Sequence, residues 1–210
     1  MRRLVIGTVL LLLAPWALAQ GAPGSIELSP TAGYWYGDTL AKGTTGVFPF
    51  DVTIDDAPGY GVRLGYRFAP NWALEGFLAR TRADLVTGSD ELFGGQEKIG
   101  EIDLTTTEVS VEGSFGNSRM VPFLAGGIGA MRLDPKLEGT SADTRFVGNF
   151  GGGFKLFFTP QVALRFDARW HSVDIGGDTH HHDCYYYDWE CYDNNWISFF
   201  ELGLGLTFVF

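Results

Sequence analysis

The residues of this sequence best suited to chemistry lie close together in one segment near the C-terminal end, DTHHHDCYYYDWECYDNNW, which covers residues 178–196. Cys184 and Cys191 are the only two cysteines of the chain. An even cysteine count is typical of a disulfide when a chain is exported to an oxidising compartment. We therefore expect a disulfide between Cys184 and Cys191. It would close a short loop rich in tyrosine and tryptophan, residue types that dominate recognition surfaces.

The same segment raises the alternative of a metal site. His180, His181, His182 and Asp183 precede the first cysteine, and imidazole, carboxylate and thiolate are the usual ligands of Zn²⁺ and Cu²⁺. Consecutive histidines on an extended chain point in different directions, however, so they do not converge on one ion. A solvated polar loop is the simpler interpretation, and we predict neither a metal nor another cofactor.

A second candidate for chemistry is the segment RWHS at residues 169–172, which resembles a motif of the lipid A deacylases. That resemblance implies a histidine base and a serine nucleophile that lie two residues apart and share the lipid-facing side of a strand. Here His171 and Ser172 are adjacent, and adjacent residues of a strand point to opposite faces. No other set of nucleophile, base and oxyanion donors is recognisable. The sequence therefore predicts no enzymatic activity.

The elements that carry these residues are predicted by the start of the chain and by its composition. Arg2 and Arg3 precede the short apolar run LVIGTVLLLL, and Ala17-Leu18-Ala19 forms a small-residue cleavage site, as in a secretory signal peptide. The rest of the chain has no run of ~18 apolar residues, the length a transmembrane helix needs. The 29 glycines and 15% aromatic residues of the full sequence suit an all-β chain. We expect a signal peptide at residues 1–19 and one β domain at residues 20–210.

Eight segments of the sequence alternate between large apolar residues and small or polar residues, which is the period of a β-strand. They lie near residues 25–36, 58–68, 72–81, 102–115, 121–131, 144–158, 161–172 and 196–210. Short turns and long connections follow these segments in strict alternation. This alternation predicts an eight-stranded antiparallel up-and-down transmembrane β-barrel, with the short turns in the periplasm and the long loops outside the cell.

With these features the chain resembles the small outer-membrane β-barrels of OmpA and OmpX type. The resemblance implies a location in the outer membrane of a Gram-negative bacterium and contact with its lipid and lipopolysaccharide. It also implies that periplasmic chaperones and the barrel assembly machinery handle the chain during biogenesis. The alternating apolar residues of the last strand would be the signal that this machinery reads; they are Leu204, Leu206, Phe208 and Phe210.

The charged residues of the predicted strands fall on the face that points into the lumen. Strand parity directs six basic residues there, namely Arg63, Arg67, Arg145, Lys155, Arg165 and Arg169. It directs six acidic residues to the same space, namely Glu27, Glu75, Glu108, Glu112, Asp167 and Glu201. An eight-stranded barrel is just wide enough for its own side chains, and buried charges must be paired. We therefore expect a neutral, salt-bridged plug in the lumen.

The formal charge of −10 is then carried outside the barrel wall, because each of the four long connections has a negative net charge. An acidic exterior repels nucleic acid, and the phosphates of lipopolysaccharide beside acidic loops would need bridging Ca²⁺ or Mg²⁺. The expected function is envelope integrity or surface interaction through the loops. A narrow porin-like passive channel is the main alternative, and a soluble lipocalin-like periplasmic carrier or a lipid-modifying enzyme are weaker ones.

Overall fold

The computed structural model describes residues 22–37, 39–41, 52–87, 97–116, 119–137, 139–174 and 196–210. Its ten strands are β1 Ile26–Tyr36, β2 Thr39–Ala41, β3 Val52–Ile54, β4 Ala57–Ala69, β5 Trp72–Thr87, β6 Glu97–Ser114, β7 Met120–Pro135, β8 Asp143–Thr159, β9 Val162–Asp174 and β10 Trp196–Val209. No helix within these ranges is long and apolar enough to cross a membrane.

Eight of these strands close into an antiparallel barrel, as the sequence predicts. Each of β1, β4, β5, β6, β7, β8, β9 and β10 pairs with a barrel strand on either side, and β1 closes the ring against β10 from Glu27↔Val209 to Tyr36↔Phe200. Closure leaves no unpaired edge along the wall, which matters because hydrocarbon offers no substitute partner for backbone N–H and C=O groups. The predicted fold class is therefore confirmed.

The two ends of the barrel differ in the length of their connections. Three connections at one end are short: Pro70 and Asn71 join β4 to β5, residues 115–119 join β6 to β7, and residues 160–161 join β8 to β9. The first residue of β1 and the last residue of β10 lie at this same end, which we call the turn end. The opposite end, where the long connections leave the wall, is called the loop end.

Several strands are longer toward the loop end than the sequence predicts. β5 continues to Thr87, β6 begins at Glu97 and β7 continues to Pro135. The small strands β2 and β3, which the sequence does not predict, pair with each other, and β3 pairs with the top of β5 at Ile54↔Leu85. These extensions lack the apolar outward alternation of the lower wall, so the pattern that predicts the strands ends before the strands do.

The outward wall is apolar, and large side chains cover it. Leu64 is 57% exposed, Ile128 61% and Leu204 48%. Aromatic side chains mark both ends of this surface: Phe68, Trp72, Phe115, Phe158 and Phe210 lie at the turn end, and Tyr34, Tyr36, Tyr60 and Trp170 lie toward the loop end. An apolar band between two aromatic girdles is the form of a barrel exterior that faces hydrocarbon.

We predict that a charge placed on this wall destabilises the barrel according to its depth. Leu204→Arg, in the middle of β10, should lower the free energy of unfolding by about 2–4 kcal/mol, whereas Phe68→Arg at the turn end should cost less than about 1 kcal/mol. Urea titrations in lipid vesicles, read by the gel shift between folded and boiled protein, measure both. Equal costs for the two variants would show that the outward face does not meet hydrocarbon.

Candidate functional site

The barrel lumen is filled by two layers of side chains, a charged layer toward the turn end and an apolar layer toward the loop end. Every charged residue of the first layer is at most 4% exposed. The members of this layer, which we call the plug, are Glu27, Arg63, Arg67, Glu75, Glu108, Glu112, Lys155, Arg165, Asp167, Arg169, His171 and Glu201. Eleven of the twelve residues assigned from sequence to the lumen lie within it, and the exception is Arg145.

The plug has room for such long side chains because one side of the lumen is lined by glycine. Inward positions of β7 and β8 are occupied by Gly127, Gly129 and Gly151. A Cβ at position 129 would lie 2.8 Å from the Cγ of Glu108, and one at position 151 would lie 3.0 Å from the Cγ of Arg169. Side chains from the neighbouring strands β6 and β9 therefore extend over these glycines. The same glycines leave β7 without a readable alternation, so the sequence does not reveal which of its residues face inward.

The tier of the plug nearest the turn end is a chain of four charges of alternating sign. Arg67 donates from Nη2 to Glu27 Oε1 at 2.6 Å. Lys155 Nζ bridges two carboxylates, at 2.5 Å from Glu27 Oε2 and 2.7 Å from Glu112 Oε1. Because each cation contacts an acidic partner and each carboxylate accepts from a cation, the burial cost of this tier is offset by charge-assisted hydrogen bonds.

The middle tier is centred on Glu75, which contacts three guanidinium groups. Its carboxylate lies 2.6 Å from Arg165 Nη1, 2.6 Å from Arg169 Nη2 and 3.3 Å from Arg63 Nη1. Asp167 shares all three partners, at 2.7 Å from Arg165 Nε, 3.3 Å from Arg169 Nε and 3.9 Å from Arg63 Nε. The guanidinium of Arg63 also lies over the ring of Phe77, with its Cζ 3.6 Å from the ring centroid, so this cation is stabilised by an aromatic face as well.

The upper tier joins the plug to the apolar layer through His171. Its Nδ1 lies 2.8 Å from Glu108 Oε1 and its Nε2 lies 3.1 Å from Glu201 Oε2. Ionised carboxylates only accept hydrogen bonds, so a ring that faces a carboxylate from both nitrogens is an imidazolium. Trp35 stacks on this ring with centroids 4.6 Å apart, and Arg63 Nη2 donates to Glu201 Oε2 at 3.0 Å.

The charge count of the lumen closes only with this imidazolium. The plug contains six carboxylates and five Lys or Arg side chains, so His171⁺ supplies the sixth positive charge. Sequence parity assigns that role to Arg145, but Arg145 lies at the loop-end rim, where its 34% exposed side chain pairs with Asp143 at 2.6 Å. The assignment of Arg145 to the plug is wrong because its position is too close to the loop end, and His171 takes its place.

The apolar layer above the plug is the part of the lumen that the sequence does not predict. Its side chains are at most 7% exposed and include Trp35, Ile54, Phe77, Leu85, Ile102, Leu104, Met131, Leu133, Val147, Val173, Ile197 and Phe199. The signal for this layer is that the alternation reverses near the loop end, with apolar residues inward and polar residues outward. Val173 and Ile197, which pair directly across β9 and β10, are buried, whereas Ser172, Asp174 and Ser198 lie on the outward face. This layer forms a small hydrophobic core of the kind found in water-soluble proteins.

The remaining candidate residues fall into three groups. Cys184, Cys191, His180, His181, His182 and Asp183 lie outside the described residues, and the residues that are described contain no cluster of three or more His, Cys, Asp or Glu placed to hold a metal ion. His171 points into the lumen and Ser172 lies on the other face of β9, so the two do not form a base and nucleophile pair. Leu204, Leu206 and Phe210 lie on the outward wall, and Phe208 is half-buried there.

Comparison with known proteins gives one family and several similar structures. The model of the outer membrane protein beta-barrel domain matches residues 7–208. OprG from Pseudomonas aeruginosa superposes with a TM-score of 0.60 at 14% identity, covering 92% of this chain and 99% of that chain. Neisserial surface protein A gives 0.55 at 15% identity, covering 88% and 98%. Ail, the attachment invasion locus protein of Yersinia pestis, gives 0.51 at 14% identity, covering 90% and 100%. Among curated protein sequences none matches this chain.

We predict that Glu75 is the residue whose loss destabilises the plug most. Glu75→Ala leaves three buried guanidinium groups without their shared carboxylate and should lower the free energy of unfolding by about 3–5 kcal/mol. Asp143→Ala, which removes the carboxylate of an exposed ion pair at the rim, is the matched control and should cost less than about 1 kcal/mol. Urea midpoints of the two variants measured side by side decide the matter. An equal decrease of the urea midpoint in both variants would show that the buried ion pairs contribute no more stability than the exposed pair.

A second prediction concerns the charge of His171. His171→Phe leaves the plug with one excess negative charge, and Glu108→Gln alone leaves one excess positive charge, so each should destabilise the barrel. The double variant is neutral and should be more stable than either single variant, a non-additive result that a double-mutant cycle of unfolding free energies measures. If the two costs simply add, the ring is not an imidazolium.

Proposed function

The chain belongs to the outer membrane protein beta-barrel domain family, and on that premise we propose that it is a non-enzymatic barrel of the Gram-negative outer membrane with a closed lumen. It would serve envelope integrity or surface interaction through its long acidic loops. The observation that carries this proposal is the filling of the lumen by two successive layers. An ion would have to cross both a neutral salt-bridged layer and an apolar layer, and each opposes its passage for a different physical reason.

The charged layer opposes passage because its members already satisfy one another. Glu75 and Asp167 accept from arginines at distances between 2.6 and 3.3 Å, and a passing ion would have to replace such contacts in a medium where unpaired charge is costly. The apolar layer opposes passage because it offers an ion no ligands. Phe199 and Ile197, for example, are buried at 1% and 2% exposure within it.

A narrow conduit is the alternative, and one observation favours it. Five buried side-chain atoms have no hydrogen-bond partner within the described protein: Ser25 Oγ, Arg63 Nε, Arg67 Nε, Glu108 Oε2 and Asn149 Nδ2. Buried polar atoms normally find partners in protein or water, so these atoms suit a thin file of water through the plug. That file would end at the apolar layer, which is why we favour the closed barrel.

The proposal for the outside surface rests on the loops and on orientation. We place the loop end outside the cell, because long loops on the outer side and short turns in the periplasm are the rule for such barrels. The negative charge of the long connections would then face the medium. A surface role is in keeping with similar structures whose names refer to a surface protein and to attachment, although the likeness itself concerns the fold.

Biogenesis is proposed to follow the same family pattern. Residues 1–19 would be removed as a signal peptide, and periplasmic chaperones would carry the mature chain to the barrel assembly machinery. This machinery would read the outward residues of β10, among them Leu204 and Leu206. The oxidising compartment on this route would allow the disulfide between Cys184 and Cys191.

We predict that the purified barrel gives no single-channel steps in planar bilayers. Removing only charged-layer side chains, in the double variant Arg63→Ser and Glu201→Ser, should leave it closed, because the apolar layer remains. The triple variant with Trp35→Ser in addition opens the apolar layer above the same site and should produce discrete steps of ionic current. The outward pair Arg82→Ser and Asp103→Ser is the control and should stay silent.

The gel shift on boiling must first establish that each variant is folded. Steps from the wild-type barrel, or from the charged-layer variant alone, would overturn the closed-lumen proposal in favour of the conduit.

A further inference from the structure

The outward wall near the loop end is divided into an aromatic sector and a cationic sector. β1, β4, β8 and β9 present exposed aromatic rings there, among them Tyr34, Tyr60, Phe150 and Trp170. In the described parts of β5, β6 and β7, no outward position near the loop end carries an aromatic residue. Arginine, lysine and threonine occupy this sector instead, so the girdle that normally marks a membrane interface is replaced by cations over three neighbouring strands.

The cationic sector is organised as two rows of outward side chains. In the first row, Arg80 of β5 is the cross-strand partner of Tyr60 on one side and of Thr105 on the other, and Thr105 is in turn the partner of Arg132. Two strand spacings separate Arg80 from Arg132, which places their backbones about 10 Å apart. The second row, one step closer to the loop end, contains Arg82 and the carboxylates of Asp103 and Asp134.

The guanidinium groups of this sector are not consumed by the acidic residues around them. Asp103 lies 3.0 Å from Arg80 Nη2 and 2.7 Å from Arg82 Nε, and its side chain is only 7% exposed, whereas those of Arg80 and Arg82 are 52% and 61% exposed. Arg132 is exposed and forms no ion pair with the described residues. The described side chains of this sector also include Lys98, which pairs with Asp84 and Glu101, and Lys136, which pairs with Asp103 and Asp134. Five positive charges therefore face four negative charges, which leaves one cation in excess, and Arg132 is the cation without an acidic partner among them.

An apolar groove runs from this sector down the outward wall. Its volume is about 430 Å³, and it is lined by Tyr60, Gly61, Val62, Leu78, Ala79, Arg80 and Thr105. Val62 and Leu78 are exposed on the wall that faces hydrocarbon, and Arg80 and Thr105 close the upper end of the groove. The surface is thus amphipathic along the membrane normal, with an apolar trough below and hydrogen-bond donors with excess positive charge above.

We infer that this surface holds a phosphorylated lipid of the outer leaflet, with an acyl chain in the groove and phosphate oxygens on Arg80 and Arg132. Lipopolysaccharide is the lipid with this chemistry in that leaflet. Guanidinium groups bind phosphate through paired N–H donors, and the threonine hydroxyl between them can donate to a sugar or phosphate oxygen. Contact is direct, so no divalent cation is needed, in contrast to the bridged contact expected for the acidic loops. The inference rests on the proposed orientation, with the loop end outside.

The test is native mass spectrometry of the detergent-solubilised full barrel with diphosphorylated lipid A as the probe. Wild type should retain one lipid A molecule in the presence of EDTA, and enzymatically dephosphorylated lipid A should bind much more weakly. The double variant Arg80→Gln and Arg132→Gln should bind at least about tenfold more weakly for each guanidinium removed. Arg119→Gln, which removes an exposed arginine at the turn end, is the matched control and should bind like wild type.

Three outcomes would overturn the inference. If Arg119→Gln lost as much lipid A affinity as the Arg80 and Arg132 double variant, the binding would be unspecific charge attraction. If dephosphorylated lipid A bound as tightly as the diphosphorylated form, the contact would be with the acyl chains alone, and if EDTA abolished binding, a divalent cation would bridge the phosphate to the protein. Arg80→Lys with Arg132→Lys separates fork geometry from charge and should recover only part of the affinity. These variants leave the lumen untouched. A negative result for lipid A binding therefore does not affect the closed-lumen proposal, and ion conduction by the wild-type barrel would not affect the proposal of a lipid site.

Discussion

The structure depends on the mutual neutralisation of charges that have been taken out of water. Six carboxylates lie in a lumen from which solvent is almost excluded, and each is held by a guanidinium, an ammonium or an imidazolium group. Removing any one charged member leaves the plug with one uncompensated buried charge, so its members stabilise the barrel only as a set. His171 illustrates this constraint, because without its second ring proton the plug would have six negative charges and only five positive ones.

This constraint also explains the arrangement of the wall around the plug. Side chains from β4, β5, β6, β9 and β10 cross the lumen, and their length is accommodated because the middle segments of β7 and β8 contribute little more than backbone on the inward side. Gly129 under Glu108 and Gly151 under Arg169 are the clearest cases. Glycine is unfavourable within a strand for reasons of entropy, but a Cβ at position 129 or 151 would meet the backbone oxygen of Thr107 or Ala168 on the neighbouring strand as well as the plug side chain above it.

Strand parity predicts much of this from sequence, and its failures have physical causes. Arg63, Arg165 and Glu201 can be assigned to the lumen because they alternate with large apolar residues that face outward. Parity gives the face of a residue but not its depth, which is why it places Arg145 among the buried charges although Arg145 lies at the rim. It also fails where the inward face is apolar and the outward face polar, as around Ile197 and Val173, since the pattern assumes a lumen that is polar throughout.

The two-layer filling and the divided girdle follow from where the barrel wall stands relative to the membrane. At the loop end the strands extend past the apolar band, so their outward faces meet headgroups and water, and outward charges such as Arg82 and Lys136 are then tolerated. Inside the same extensions, side chains such as Leu133 and Ile102 are shielded from both lipid and solvent, and an ordinary hydrophobic core forms. At the loop end the wall is therefore charged outside and apolar inside, as in a water-soluble barrel. Toward the turn end the same strands continue with the opposite polarity, apolar outside and charged inside. The boundary between the two is the row that contains Arg80 and Thr105, which is where a lipid headgroup and the protein surface must accommodate each other.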